Sequence, residues 1–436
     1  MEQKNFIARN SLATFITRIA VAGVNLLTGV ILARELGPLG RGEYALIILL
    51  PSLLSLASDL GIGSANVYLA GKKKYSHSDI FSGSVVMAVC LSLIAVIFAW
   101  LFMGKIQPLF FKNIPVSVLR LVCLFTPFML LNGYTANLLV GMFKIKYVNL
   151  NTVVQALLML LLTYFLLVVF KTGVYGAVAV WGITQIVLMV VTVAVFRHFE
   201  PKKLSIFLKK GQLKETVSFG VKGYLSNLAS FFNYRIDMFL VSFFLSAASV
   251  GHYAVSVAIA EMVWYIPNSM ATVFYPVVTK ASEKDAGKIT GIVTRQVLLL
   301  TAVVCLLVLF AGKFVIITLF GRDFSASVLP FTLLLPGILS ISLAKILSGY
   351  FCGIGKPEIP MVASVISFAA NVALNLFLIP KYGIAGAALT SAISYTVEAA
   401  IMLYYYTRIS GLSVFYAIIP KLSDLNYYKS LGIFKK

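Results

Sequence analysis

The residues of this sequence that could do chemistry are charged side chains that lie inside long apolar stretches. A charge at the centre of a bilayer costs on the order of 2.5–3.5 kcal/mol, so each needs an aqueous cavity, a partner or a route to the surface. Bases outnumber acids, which predicts an anionic ligand, because Arg and Lys neutralise phosphate groups. The bases are Arg18, Arg120, Lys222, Arg235, Arg295 and Lys345, and the acids are Asp59, Asp237, Glu261 and Glu398.

Depth within each stretch separates the bases. Arg120 and Arg295 lie close to the ends of their stretches, which favours side chains that snorkel to the surface. The other four bases lie deeper and are predicted to line a shared cleft and bind an anionic lipid carrier. For Arg18, Lys222 and Lys345 a neutral or lipid-head-group role is the alternative, and for Arg235 the alternative is a pair that bridges to a neighbouring helix. These candidate substrate-binding residues are Arg18, Lys222, Arg235 and Lys345.

The four acids are candidates for ion coupling. Buried carboxylates can change protonation or hold a cation during a transport cycle, which predicts coupling to an H⁺ or Na⁺ gradient. A structural ion pair with one of the bases is the alternative for each acid. Arg235 and Asp237 are two positions apart on a predicted helix, so they point to different faces and do not simply neutralise each other.

Transmembrane helices must position these charges. The chain is 60% hydrophobic and only 12% charged, whereas soluble proteins average about 25% charged residues. Runs such as 155–170 are continuously apolar, which favours helices over barrel strands. Twelve stretches are long enough to cross a bilayer: 11–34, 44–70, 79–104, 115–142, 147–170, 173–196, 216–246, 248–279, 291–312, 326–354, 359–380 and 383–407.

The distribution of basic residues predicts the orientation of these helices. Most of the 36 Lys and Arg fall in the termini and in alternate connections. The positive-inside rule then places both termini of this multi-pass protein in the cytoplasm. The net charge of +21 therefore reports topology and does not indicate a nucleic-acid partner.

The two halves of the sequence resemble each other at an offset of about 210 residues. Gly42 and Tyr44 match Gly251 and Tyr253, and the run 171–177 matches 381–387. The repeat predicts an all-α fold of two six-helix lobes related by a pseudo-two-fold axis along the membrane normal, with a central cleft. The predicted domains are a first lobe (1–196), a cytoplasmic linker (197–215), a second lobe (216–407) and a cytoplasmic amphipathic tail (408–436).

Two segments carry a family resemblance. ARELGPLGRGEYA (33–45), followed by DLGIG (59–63), and PKYGIAGAALT (380–390) resemble the polysaccharide transporter branch of the multidrug/oligosaccharidyl-lipid/polysaccharide (MOP) exporter superfamily. The resemblance implies a flippase that moves undecaprenyl-diphosphate-linked oligosaccharides, such as O-antigen units of lipopolysaccharide, from the inner to the outer leaflet. Polysaccharide polymerase machinery would be a partner. Neither the sugar, the driving ion nor the oligomeric state follows from these motifs.

Three other functions compete with this one. A multidrug/cation antiporter of the same superfamily would favour an acidic cleft, and a lipid II flippase would need two further spans after residue 407. A membrane polysaccharide polymerase or ligase would need a sizeable outer loop, which the predicted spans do not leave. The sequence contains no nucleotide-binding, zinc-protease or serine-hydrolase motif, so we expect no enzyme activity, no cofactor and no metal site.

Overall fold

The structure is a computed structural model that describes residues 2–72, 74–201, 209, 211–279 and 281–421. Within these ranges the side chains of 2–16, 222–223, 226, 272–273, 276 and 283–284 are outside the description. Lys222, one of the predicted substrate-binding residues, is among them. The described chain is helical and contains no β-strand, which confirms the predicted all-α class.

Fourteen helices make up the described chain. Four short turns extend or join them: π-helical turns at Tyr164–Val169 and Ile316–Phe320, and 3-10 turns at Met262–Trp264 and Arg322–Ser327. The helices are α1 (Glu2–Asp59), α2 (Ile62–Lys72), α3 (His77–Phe110), α4 (Val116–Cys123), α5 (Thr126–Gly141), α6 (Ile145–Thr163), α7 (Gly173–Phe199), α8 (Gln212–Phe244), α9 (Ala247–Glu261), α10 (Tyr265–Val278), α11 (Glu283–Val315), α12 (Val328–Gly353), α13 (Glu358–Ser410) and α14 (Val414–Ile418).

Eight helical segments of the described chain are long and apolar enough to cross a membrane. Thr17–Asp59 has 43 residues and Glu358–Ser410 has 53. At 1.5 Å per residue they would measure roughly 65 and 80 Å if straight, against a bilayer core of about 30 Å. Each is broken at a glycine with positive φ, Gly37 (62°) and Gly383 (59°). Each therefore has room for two of the predicted spans, while the total of twelve stays a prediction.

Large apolar side chains on single helix faces are exposed. On α3, Leu93, Ile94 and Leu101 are exposed, Leu101 to 75%, and on α11 the exposure of Phe310 reaches 84%. Contiguous apolar surface of this kind is rare on soluble monomers and marks a face that meets lipid or a partner. Together with the long apolar helices, these faces define a multi-pass membrane protein.

The chain forms two compact units. The first unit comprises residues 1–228, 238–254 and 319–323. The second comprises residues 229–237, 255–318 and 324–436. The predicted lobes, linker and tail and the pseudo-two-fold symmetry stay predictions.

Local structure recurs at positions that the internal repeat relates. Ser76 caps α3 by accepting the Asp79 N–H at 3.1 Å, and Ser282 caps α11 by accepting the Asp285 N–H at 3.2 Å. Such caps satisfy amides that the first helical turn leaves without partners. Gly42 and Gly251, which the repeat also relates, face each other inside the first unit, where a Cβ on either would collide with the opposite backbone. Glycine is therefore required at both positions for the helices to approach this closely.

Candidate substrate and ion-coupling site

Six of the ten membrane-embedded charges lie in the second unit, Arg295 and five others. Arg235 and Asp237 are on α8, Glu261 ends α9, Lys345 is in the middle of α12 and Glu398 is on the second half of α13. Hydrogen bonds and ring contacts connect several of these side chains to neighbouring helices. We call these five side chains the charge cluster.

Arg235 is paired with Glu261. Its two terminal nitrogens donate to the two carboxylate oxygens at 2.8 and 3.0 Å. The side chains are only 28% and 20% exposed. This bidentate geometry matches the planar guanidinium to the planar carboxylate and is the strongest arrangement for such a pair. Arg235 is therefore neutralised mainly by Glu261 at the end of α9, with a smaller contribution from Asp237, its neighbour on α8.

Lys345 lies against aromatic rings. Its ammonium nitrogen is 4.6 Å from the centre of the Trp264 ring and 5.6 Å from that of Tyr234. It makes no hydrogen bond or ion pair with any residue that the structure describes. Ring faces attract a cation but accept none of its hydrogen bonds in full, so the three N–H donors remain available to an anion.

Glu398 is buried at 3% exposure and accepts two hydrogen bonds. Ser364 Oγ donates at 2.9 Å and Asn233 Nδ2 donates at 3.1 Å. Donors of this kind stabilise the charged form of a carboxylate, which burial destabilises. Burial therefore destabilises the negative charge of Glu398, whereas the two hydrogen bonds stabilise it.

Asp237 is buried and contacts α13, a helix that carries several buried polar residues. It is 2% exposed and accepts a hydrogen bond from Ser391 at 3.1 Å. Asn371 Nδ2 donates to Ser394 at 3.1 Å, and Asn375 Nδ2 donates to Asn371 at 2.7 Å. These buried oxygen atoms are of the type that binds hard cations.

Two features of the site were not predicted from the sequence: the row of polar residues on α13, and the rings of Trp264 and Tyr234 beside Lys345. The row consists of Ser364, Ser367, Asn371 and Asn375, which recur every three or four positions inside an otherwise apolar stretch. That spacing places them on one helix face. The signal was therefore present in the sequence, whereas nothing in the sequence indicated which aromatic residues would meet Lys345.

Two other predicted site residues with described side chains lie in the first unit. Arg18 is half-buried on α1 and makes no hydrogen bond or ion pair with the described residues. Asp59 ends α1, and its carboxylate accepts the Gly61 N–H at 3.2 Å. The structure brings Arg235 and Lys345 into one unit, and a cleft shared by all four predicted bases stays a prediction.

The predicted snorkelling of Arg295 is wrong. Arg295 is 2% exposed and donates to the carbonyl of Tyr416 at 3.0 Å. Its Cζ is 4.9 Å from the centre of the Tyr416 ring. The short helix α14 thus covers Arg295. The distance of Arg295 from the end of its predicted span, on which the prediction was based, carries no information about such a cover. Arg120 differs, because it is exposed and donates to the Trp100 carbonyl at 3.4 Å.

A multi-pass helical fold with a buried charge cluster defines a membrane transporter. A family model described as polysaccharide biosynthesis protein matches residues 7–282, which is more than half of the chain. The chain belongs to this family. The resemblance carried by residues 33–45 and 380–390 is thereby confirmed.

Relatives with similar sequences include flippases and transporters. The probable low-salt glycan biosynthesis flippase Agl15 of Haloferax volcanii is 23% identical over 95% of this chain and 86% of its own length. The putative O-antigen transporter of Shigella flexneri is 23% identical over 87% of this chain and 93% of its own length. Flippase or polysaccharide transporter is the function class that these matches support.

Solved structures of the superfamily share the fold. The lipid II flippase MurJ in an inward closed conformation superposes with a TM-score of 0.77 at 16% identity, covering 98% of this chain and 93% of that one. An inward-facing multidrug resistance MATE family transporter gives 0.72 at 17% identity, covering 91% and 98%. At these identities the likeness concerns the fold alone.

Proposed function

We propose that this protein moves a lipid-linked oligosaccharide from the inner to the outer leaflet of a bacterial plasma membrane, with both termini in the cytoplasm. Undecaprenyl diphosphate is the proposed carrier, and alternating access is the proposed mode of transport. The single observation that carries the proposal is Lys345, a lysine inside an apolar helix that makes no ion pair or hydrogen bond with the described residues, although Glu261 and Glu398 attract its charge from a distance. A cation is retained at such a place only where something repays its desolvation, and a diphosphate would do so.

The bases have different roles in this proposal. Lys345 contacts the diphosphate directly, as a compact charge with three donors. Arg235 joins it when the substrate competes with Glu261 for the guanidinium. Arg18 and Lys222 are proposed to attract the head group from the inner leaflet, because both are close to the predicted cytoplasmic ends of their spans.

Asp237 and Glu398 are the proposed ion-coupling residues. Both carboxylates are almost completely buried, and both have hydroxyl or amide groups around them. Binding of H⁺ or Na⁺ would remove a buried negative charge, and its release would restore that charge. Glu261 is held by Arg235, so its part in coupling would require that pair to open, and Asp59 remains a candidate in the first unit.

A lipid II flippase is the second candidate, because the MurJ fold covers nearly the whole chain. It would use the same site at Lys345, since its substrate also carries a diphosphate. The multidrug antiporter is a third candidate, because the charge cluster contains three acids against two bases, while Lys345 would repel a cationic drug. Nothing in the site suggests an enzyme, and we propose transport without chemical conversion, followed by use of the exported unit by a polymerase.

The decisive experiment is deletion of the gene followed by analysis of lipid-linked sugars. We expect lipid-linked units to accumulate on the cytoplasmic side and surface polysaccharide to be lost. Wild-type protein and Lys313→Met, which removes an exposed lysine on α11, should restore export. Lys345→Met should export at least about tenfold less, the rate change for a loss of 1.4 kcal/mol. Normal surface polysaccharide in the deletion strain would reject the flippase, and accumulation of lipid II would favour the second candidate.

A further inference from the structure

A second polar site lies within the first unit and shares no lining residue with the charge cluster. A cavity of about 310 Å³ opens between α1, α6 and α7. Its lining includes Asn25, Thr28, Arg41 and Tyr44 from α1, Gln155 from α6 and Trp181 from α7. All of these residues belong to the same compact unit.

Arg41 is the unusual member of this lining. The sequence places it in an outer connection, but in the structure it is helical, four residues after the break at Gly37. Its Nε is shielded from solvent and has no hydrogen-bond partner. No carboxylate of the described residues pairs with it, and its one neighbour of note is the Tyr44 ring, 5.6 Å from Cζ. A partly shielded guanidinium with an unpartnered Nε is costly unless an anion completes it.

Neutral donors and acceptors accompany this charge. The side-chain amides of Asn25 and Gln155 form no hydrogen bond with the described residues, so both are available to a ligand. Thr28 already donates its hydroxyl to the Val24 carbonyl at 3.0 Å, which leaves its oxygen as an acceptor. Trp181 is 7% exposed and supplies an apolar wall. A cation, two amides and an aromatic wall together suit a ligand with one anionic group, several hydroxyls and an apolar ring face.

We propose that this cavity binds an acidic sugar, with Arg41 on its carboxylate or phosphate and the amides of Asn25 and Gln155 on its hydroxyls. The inference rests on the proposed function, because it takes the sugar to be part of the transported glycan, which would then be an acidic glycan. The volume is at the lower end of the range of about 300–1,000 Å³ for small-molecule sites. It suits a monosaccharide and is too small for a lipid diphosphate.

The test is calorimetric titration of the purified full-length protein in lipid nanodiscs. The probes are glucuronate, glucose as its neutral analogue, and inorganic phosphate. We expect glucuronate to bind the wild type and to bind Arg41→Gln at least tenfold more weakly, while Arg120→Gln, which removes an exposed arginine, binds as the wild type does. Absence of glucuronate binding, equal binding to wild type and Arg41→Gln, or Arg41-dependent binding of phosphate alone would overturn the inference.

Two further measurements keep the result interpretable. Should Arg41→Gln fail to fold, Asn25→Leu and Gln155→Leu replace it, and unchanged glucuronate affinity in both would overturn the inference. The export experiment separates this inference from the proposed function. Arg41-dependent glucuronate binding in a protein whose deletion leaves export intact keeps the site and rejects the flippase, and the converse result keeps the flippase and rejects the site.

Discussion

Two half-buried arginines, one in each compact unit, have opposite surroundings. Arg235 is held by both oxygens of Glu261, whereas Arg41 has an unpartnered Nε beside a cavity. Both guanidiniums are permanently charged, since arginine does not lose its proton in proteins. A base inside the protein can therefore be held by another residue of the chain or be available to a ligand. Its hydrogen-bond and ion-pair partners within the protein distinguish the two cases.

Lys345 is intermediate between these extremes. Aromatic rings stabilise its charge without satisfying its donors. It therefore resembles Arg41 in what it can offer a ligand and Arg235 in having a preformed environment. Four substitutions test how strongly charged side chains depend on their partners within the protein. They are given in order of decreasing predicted change.

Glu261→Gln should have the largest effect on stability. It leaves Arg235 buried without its countercharge, and breaking a fully buried pair costs about 3–5 kcal/mol. Because both side chains retain some exposure, we expect about 2–3 kcal/mol. Unfolding of the purified protein by heat and denaturant measures it. The double variant Arg235→Met with Glu261→Met should recover most of the loss, and a double variant as unstable as Glu261→Gln would contradict the pairing.

Glu398→Gln should have a moderate effect on stability. The new amide nitrogen would face the donors of Ser364 and Asn233, so one hydrogen bond would be lost at a cost of about 1 kcal/mol. If Glu398 couples transport to an ion, export by this variant should also stop responding to collapse of the ion gradient. Thr407→Val, which lies on the same helix and removes a hydroxyl far along it, serves as the control. Gradient dependence equal to that of the wild type would exclude Glu398 from coupling.

Arg41→Gln should leave the stability of the ligand-free protein unchanged or raise it by up to about 1 kcal/mol, because it removes a desolvated charge that has no partner. The same unfolding measurement as for Glu261→Gln makes the two arginine sites directly comparable. A loss of stability as large as that of Glu261→Gln would show that Arg41 has a structural partner, and the comparison between the two arginines would fail.

Glu215→Gln should have the smallest effect, because it removes a surface ion pair. Lys74 donates to Glu215, which lowers the pKa of Glu215 and raises the pKa of Lys74. The contribution of Glu215 is present above the ordinary carboxyl pKa of about 4.3 and is lost as the pH falls through its lowered value. That of Lys74 is present below about 10.4 and is lost as the pH rises through its raised value. The melting temperatures of the wild type and Glu215→Gln should differ slightly at neutral pH, less in high salt, and not at all once the pH is below the lowered pKa of Glu215.

Much of the fold was predictable because hydropathy is a local property. The long apolar stretches are helices in the structure. Gly383, which lies in the repeated run 381–387, breaks a 53-residue helix. The candidate site was predictable only in part. Composition identified Arg235 and Lys345 as membrane-embedded charges, but the partner of Arg235 lies on another helix, and the helix that covers Arg295 lies more than a hundred positions away.

The sequence alone determined the environment of this protein, its family and the set of charges that need an explanation. These depend on local hydropathy, on the bias of basic residues and on short motifs, all of which are written consecutively along the chain. Only the tertiary structure decided which charge is paired, which is stacked on aromatic rings and which lies beside a cavity. Glu398 meets Asn233 from 165 positions away, and Arg41 lines a cavity with side chains of α6 and α7. Such partners are selected by helix packing, which brings together residues that no local pattern relates.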